Sequence, residues 1–341
     1  MTGPKRMHLA AGFPGAGHPA VRADPRPGPQ IEFASFEHLA RTAERGLFDF
    51  LLLAEESRPG EHEGRVHDLD VAGRPESLTV LNALAAVTGR LGLAATADAT
   101  FNEPFELARR LTTLDHLSDG RAAWHVVTSS GASTGENFRS RGRLDRSERY
   151  VRAAEFVATA RELWDSWSPD GTPRPFAHHG RHFDIAGEFT LPRSPQGHPV
   201  VIQADDSEEG REFAASSADV LLARHGTLEA GRAFYADVKR RLAAYGRDPD
   251  ALRIMSVFTV VLGDTAAGTR TPEQVAAELA EFVARDAADG FVLVPHPAPG
   301  GLDEFVDRVV PLLQERGAFR TAYEGATLRS HLGLGEPVWK G

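Results

Sequence analysis

The sequence predicts a single (β/α)8 barrel, and three observations predict it. Eight short apolar segments alternate with eight helix-like segments along the chain. The apolar segments are mostly unbroken runs, as expected of parallel strands covered on both faces. The chain has 341 residues, the length of one large barrel, and no linker or internal repeat divides it. Residues 1–341 are therefore read as one domain. Eight successive β/α units favour a closed barrel over an open doubly wound sheet.

The strand candidates are residues 7–12, 48–54, 91–97, 122–127, 199–204, 219–223, 254–262 and 290–294. Helices are expected between them. Residues 33–45 follow the first strand and residues 77–87 the second. The helix at 104–117 is well punctuated: Asn102 offers a cap, Pro104 falls in the first turn and Gly120 lies past the end. The helix at 147–167 is the clearest, with Tyr150, Ala153, Val157, Ala160, Trp164 and Trp167 on one face. Residues 207–217, 228–245, 272–288 and 302–316 complete the set. Residues 168–195, rich in Pro, His and Gly, form an insertion before the fifth strand. A small hairpin is expected there around residues 182–185.

Composition narrows the function. The net charge of −10 argues against nucleic acid or an anionic membrane as the main partner. The absence of cysteine excludes disulfides, thiolate metal ligands and a cysteine nucleophile. No apolar run reaches membrane-spanning length, and the short glycine-rich stretch at 9–13 is a poor signal peptide, so a soluble cytoplasmic protein is expected. No G-x-G-x-x-G follows a strand, which argues against a nicotinamide-dinucleotide fold. His178, His179 and His182 lack a carboxylate at helical spacing, and no metal site is expected from them. Residues 61–70 read as a solvated loop.

The richest stretch is Gly120-Arg121-Ala122-Ala123-Trp124-His125-Val126-Val127-Thr128-Ser129. Asn137-Phe138 and then Glu148-Arg149-Tyr150 follow it. A buried strand opens into a loop of small hydroxyl residues, and a long helix begins beyond. In this wording and order the segment resembles the nitrilotriacetate/dibenzothiophene-sulfone monooxygenases, a branch of the bacterial-luciferase-like flavin monooxygenases. Further matching strings are Asn102-Glu103-Pro104, Leu114-Asp115-His116-Leu117-Ser118-Asp119-Gly120-Arg121, Ser194-Pro195-Gln196-Gly197, Gln203-Ala204 and Arg316-Gly317-Ala318-Phe319-Arg320.

The resemblance implies reduced FMN supplied by a separate reductase, O2, and a small organic substrate. It also implies a homo-oligomer, a dimer or tetramer. The flavin carries the hard chemistry and sits at the C-terminal mouth of the barrel. It places Glu55 and Thr100 against the flavin ring, and Arg146, Tyr150 and Ser207 at its phosphate. Ser207 opens a helix, where free N–H groups favour an anion. His125 stands where the family usually has Asn, and Arg224 and His225 end the sixth strand as candidates for substrate contact. Plainer readings stand beside these. Glu55 reads as a solvated carboxylate, Thr100 and Ser207 as helix caps, His125 and Tyr150 as core groups, and Arg224-His225 as a surface pair.

Two departures from the family stand out. Its fifth strand normally ends Q-A-G, whereas this chain reads Gln203-Ala204-Asp205-Asp206-Ser207-Glu208-Glu209. Asp206 with Glu209 is a possible capping box. Only a short segment, 263–270, separates the seventh strand from the next helix, where family members carry a long insertion. A more open site is expected. The alternatives to the flavin monooxygenase are a deazaflavin-dependent oxidoreductase and a catalytically idle flavin-binding homologue.

Overall fold

The computed structural model describes residues 5–13, 32–54, 61–62, 65–66, 75–128, 144–168, 170–260, 262–263, 270–295 and 301–339. Eight parallel strands close into a barrel. They are β1 (His8–Phe13), β2 (Phe50–Leu53), β5 (Gly92–Asp98), β6 (Ala122–Val127), β9 (Val200–Gln203), β10 (Val220–Ala223), β11 (Arg253–Val260) and β12 (Gly290–Pro295). Going round the barrel the order is β1, β12, β11, β10, β9, β6, β5, β2. All eight predicted strands are present; 122–127 is as read, and the others differ at their ends.

Alternate strand residues fill the barrel, as the pleat requires. Ala10, Phe50, Leu52, Ala94, Ala123, Val200, Ile202, Val220, Leu222, Met255 and Val292 form the inner cluster. A larger cluster lies between the strands and the surrounding helices, with Trp124, Phe156 and Trp164 buried in it.

The outer helices are α1 (Phe33–Arg45), α2 (Ser77–Ala85), α3 (Pro104–Leu117), α4 (Arg146–Trp164), α5 (Glu208–Ser217), α6 (Leu228–Leu242) and α7 (Pro272–Ala284). Three differences from the sequence reading have local causes. The last helix is broken into α8 (Gly301–Arg308) and α9 (Val310–Glu315), because Pro311 lacks an amide hydrogen and suits only a helix start. Helix α4 stops at Trp164, which frees Trp167 to donate from Nε1 to the Phe189 carbonyl at 2.9 Å. The stretch read as a solvated loop contains a two-stranded hairpin, β3 (Glu61–His62) with β4 (Arg65–Val66).

The insertion before β9 does hold a hairpin, β7 (Pro175–His179) with β8 (Asp184–Glu188). It packs along α4. Glu155 accepts the backbone N–H groups of His182 and Phe183, and Phe183 stacks edge-on against Phe156. His178 pairs with Glu155 and Glu162, and His179 with Asp184.

The N-terminal end of the barrel is shut. The tail crosses it, and Leu328, Leu332 and Leu334 join the inner cluster from a short helix, α10 (Leu328–His331), and the residues after it. Three aspartates repeat one device there. Asp49, Asp219 and Asp289 each stand just before a strand, and each carboxylate accepts the N–H of the neighbouring strand's residue. Those residues are Leu9, Val201 and Ile254, all at 2.9 Å. Each carboxylate also meets a cation: Arg320, Arg329, and Lys5 with Lys239. A cavity of about 300 Å³, lined by Lys5, Arg6, His8, Arg253 and Arg320, lies at this end.

Among the described residues no helix is long and apolar enough to cross a membrane.

Candidate active site

Because the strands run parallel, their C-terminal ends share the other mouth, where barrel enzymes carry their chemistry. Thr100, His125, Asp205, Arg224 and His225 all lie on or just beyond those strand ends. Glu55 lies outside the described residues.

His125 occupies the fourth position of β6, facing inward like Ala123 two residues earlier. Its ring is buried, and burial pushes its pKa down to about 4, so the imidazole is neutral near pH 7. The register of β5 against β6 sets Thr96 beside it. The Thr96 hydroxyl donates to the Leu53 carbonyl at 2.8 Å, and its oxygen lies 3.0 Å from His125 Nδ1. A hydroxyl has one proton to give. Nδ1 must therefore be the donor in the second contact, and Nε2 is left as an unprotonated acceptor. That Nε2 is buried and has no partner among the described residues.

Two more polar atoms at this mouth share that condition. Thr100 follows β5 in a tight turn, whose N–H groups at Thr100 and Phe101 are accepted by the Asp98 carboxylate. The Thr100 hydroxyl is buried and unpartnered, so it does not serve as a helix cap. The neighbouring turn is braced by Arg152 of α4, which donates to the Ala99 carbonyl and covers the Phe183 ring at 4.2 Å. His225 follows β10, with its ring centroid 4.4 Å from that of Phe234. Its Nε2 is likewise buried without a partner, and burial holds its pKa below the usual value against the opposing pull of Asp206. Arg224 beside it is exposed. A buried polar atom without a partner costs roughly 1–3 kcal/mol, so three at one mouth mark where a polar ligand would sit.

Arg146, Tyr150 and Ser207 also come together, but around a protein group. The Tyr150 hydroxyl donates to Asp205 Oδ2, Arg146 Nη2 donates to the same oxygen at 3.1 Å, and the Ser207 N–H donates to Oδ1 at 2.8 Å. Burial alone would raise the Asp205 pKa. The Tyr150 hydroxyl, Ser207 and Arg146 outweigh it and hold the carboxyl below its usual range. The Ser207 side chain caps α5 through the Gly210 N–H at 3.1 Å. Ser207, not Asp206, is thus the cap, and Glu209 instead lies 3.7 Å from Arg146.

The site therefore fits a flavin unevenly. Around Thr100, which the resemblance sets against the ring, acceptor and hydroxyl groups wait unpaired among the described residues. At the end assigned to the phosphate, the donors already serve Asp205.

The luciferase-like monooxygenase family model matches residues 15–285. The chain belongs to that family. It is 34% identical to N-acetyl-S-(2-succino)cysteine monooxygenase of Bacillus subtilis (strain 168), over 98% of both chains. It is 33% identical to nitrilotriacetate monooxygenase component A of Aminobacter aminovorans, over 92% of both. The structure of EDTA monooxygenase from Chelativorans sp. BNC1 superposes with a TM-score of 0.87 at 25% identity, covering 97% of this chain and 99% of that one. The branch inferred from the strand β6 wording is the one these relatives represent. The Bacillus alignment runs over 435 positions against a chain of 341 residues, so it contains long gaps on this chain's side. As a member of the family the protein is a flavin-dependent oxidoreductase.

Sequence reasoning missed Thr96 and Arg152. Thr96 is a lone hydroxyl residue in the apolar run Leu93–Ala97, and only the strand register brings it to His125. Arg152 carries no local signal beyond being a cation on the buried face of α4.

Proposed function

We propose that the protein is the oxygenase of a two-component system, taking a reduced flavin from a separate reductase. The resemblance implies FMN, and the ring end of the site serves any flavin with the same tricyclic head. Bound reduced flavin activates O2, so that one oxygen atom enters a small organic substrate and the other leaves as water. Component A of the nitrilotriacetate system is a relative, which supports a reductase partner.

The observation that carries this reading is the trio of unpartnered atoms: Thr100 Oγ1, His125 Nε2 and His225 Nε2. His125, fixed by Thr96, accepts a hydrogen bond from a ligand N–H or O–H. Thr100 offers a hydroxyl to a carbonyl. Arg224 and His225, at the end of β10, are assigned to substrate contact, and the resemblance assigns Glu55, outside the described residues, to the ring. The short segment after β11 lies mostly outside the described residues; its length in the sequence supports a site that takes a bulkier substrate, or that a second copy closes in a homo-oligomer. Its acidic, cysteine-free sequence suits the cytoplasm.

The test is stopped-flow reoxidation of anaerobically reduced FMN and of reduced riboflavin by O2, with and without the protein. The expected result is altered reoxidation and a lower H2O2 yield in its presence, with little reduction of flavin by NADH alone. No effect with either flavin, together with tight binding of a reduced deazaflavin, would replace this reading with the deazaflavin-dependent alternative.

A further inference from the structure

We propose that Asp205 is a built-in anion in the flavin-phosphate subsite, and that it turns this chain's preference toward flavin without a phosphate. The inference rests on the flavin reading above and deepens it.

The three groups assigned to the phosphate lie on two elements: Arg146 and Tyr150 one turn apart at the start of α4, and Ser207 at the N-terminus of α5. All three converge on one carboxylate. A carboxylate offers two anionic oxygens with about four lone-pair sites. It satisfies the same charge-assisted donors that a phosphate oxygen would take. Among the described residues, all three donors are engaged without a ligand.

Asp205 is also hard to displace. Gly210, in the first turn of α5, packs against it so closely that an added Cβ would lie 2.5 Å from the Asp205 carbonyl oxygen and 2.8 Å from its Cβ. The stretch from Asp205 to Gly210 is pinned internally by the Ser207 N–H on the Asp205 carboxylate and the Gly210 N–H on the Ser207 hydroxyl. The side chain therefore sits on a constrained turn.

Charge points the same way. A phosphate monoester arriving here brings close to two negative charges. It would meet Asp205 and Glu209, both already paired with Arg146, while Glu208 in the same helical turn is paired with Arg211 and Arg241. The positive helix terminus that would welcome an anion already faces its own carboxylates. Riboflavin ends in a hydroxyl, brings no charge, and offers a donor to Asp205.

The experiment measures binding of FMN and riboflavin to the full-length protein by flavin-fluorescence quenching, for the native chain, Asp205→Gly and Asp205→Asn. Circular dichroism checks the fold. The native chain is expected to bind riboflavin at least as tightly as FMN. Asp205→Gly should tighten FMN binding about tenfold or more while riboflavin stays within about twofold. Asp205→Asn removes the charge at nearly constant shape and should shift the preference part-way, so the result does not depend on the glycine variant folding. A native preference for FMN of about tenfold, or an unchanged ratio in both variants, overturns the proposal and leaves the flavin reading intact. Binding of neither flavin to any of the three proteins removes both.

Discussion

The two ends of the barrel treat their charged and polar side chains in opposite ways. At the closed end, Asp49, Asp219 and Asp289 each hold a neighbouring strand's N–H and a cation, with nearly no solvent contact. At the C-terminal mouth, Thr100, His125 and His225 each bury a polar atom that nothing in the described chain satisfies. Stability is invested where every partner is internal, and function where partners must come from outside. Each end has an exception. His331 at the closed end buries both ring nitrogens against the Tyr323 ring with no hydrogen-bond partner among the described residues. Asp205 at the C-terminal mouth gathers internal partners as the aspartates at the other end do.

The sharpest break of this contrast is Asp219→Ala. The carboxylate takes two bonds from Arg329, at 3.1 and 3.2 Å, and the Val201 N–H. Removing it leaves the nearly buried Arg329 without its partner. Loss of one member of a buried pair costs about 3–5 kcal/mol. The midpoint of urea unfolding should fall accordingly, while flavin affinity of the folded fraction stays constant. A drop in flavin affinity equal to the drop in stability would show that the two ends are not separable.

An acid titration of stability tests the C-terminal mouth. His125 is neutral in the folded protein because burial lowers its pKa to about 4, whereas the unfolded chain binds the proton below about 6.5. Its contribution is present above pH 6.5 and is lost as pH falls toward 4. Integrated, this is about 3 kcal/mol. His331 acts in the same window, also held near 4 by burial. The aspartates act lower: despite burial, cations hold Asp49 and Asp289 near 2, so their share is lost only below about pH 4. His198 and His225, also lowered by burial, act on the same limb, so His125→Gln should flatten part of the slope between pH 6.5 and 4 and leave the lower limb unchanged. An unchanged upper slope would show that His125 is protonated in the fold.

The barrel was legible because its punctuation is local. Residues 33–45 and 104–117 are helices to the residue, the second set off by Pro104 and Gly120. Strand 122–127 is likewise as read. What escaped depends on contacts between distant parts of the chain. Arg329 meets Asp219 from 110 positions away, and nothing near either residue announces the pair. Thr96 finds His125 only through the β5–β6 register. At the site, Arg146, Tyr150 and Ser207, the residues expected at the phosphate, do come together. The sequence marked Asp205 as foreign to the family pattern, but not that it would gather Arg146, Tyr150 and Ser207 onto itself.

That convergence makes Arg146→Ala the mildest of the expected changes and the most discriminating. From sequence, Arg146 stands as a phosphate ligand whose loss should weaken FMN binding markedly and riboflavin binding far less. In the structure it is half exposed and pairs with Asp205, with Glu209 nearby. An exposed pair of this kind carries little energy, and an arginine neutralised by a carboxylate has little left for a dianion. In the native background Arg146→Ala should therefore change FMN affinity by less than about threefold. In the Asp205→Gly background the guanidinium is released toward the ligand. There the same substitution should weaken FMN binding about tenfold or more, and riboflavin binding hardly at all. The four proteins form a double-mutant cycle, whose coupling energy isolates the Arg146–Asp205 interaction from either residue's other contacts. A large loss already in the native background would mean that Asp205 yields its place to the phosphate when FMN arrives. Equal, small losses in both backgrounds would mean that Arg146 serves only to hold Asp205.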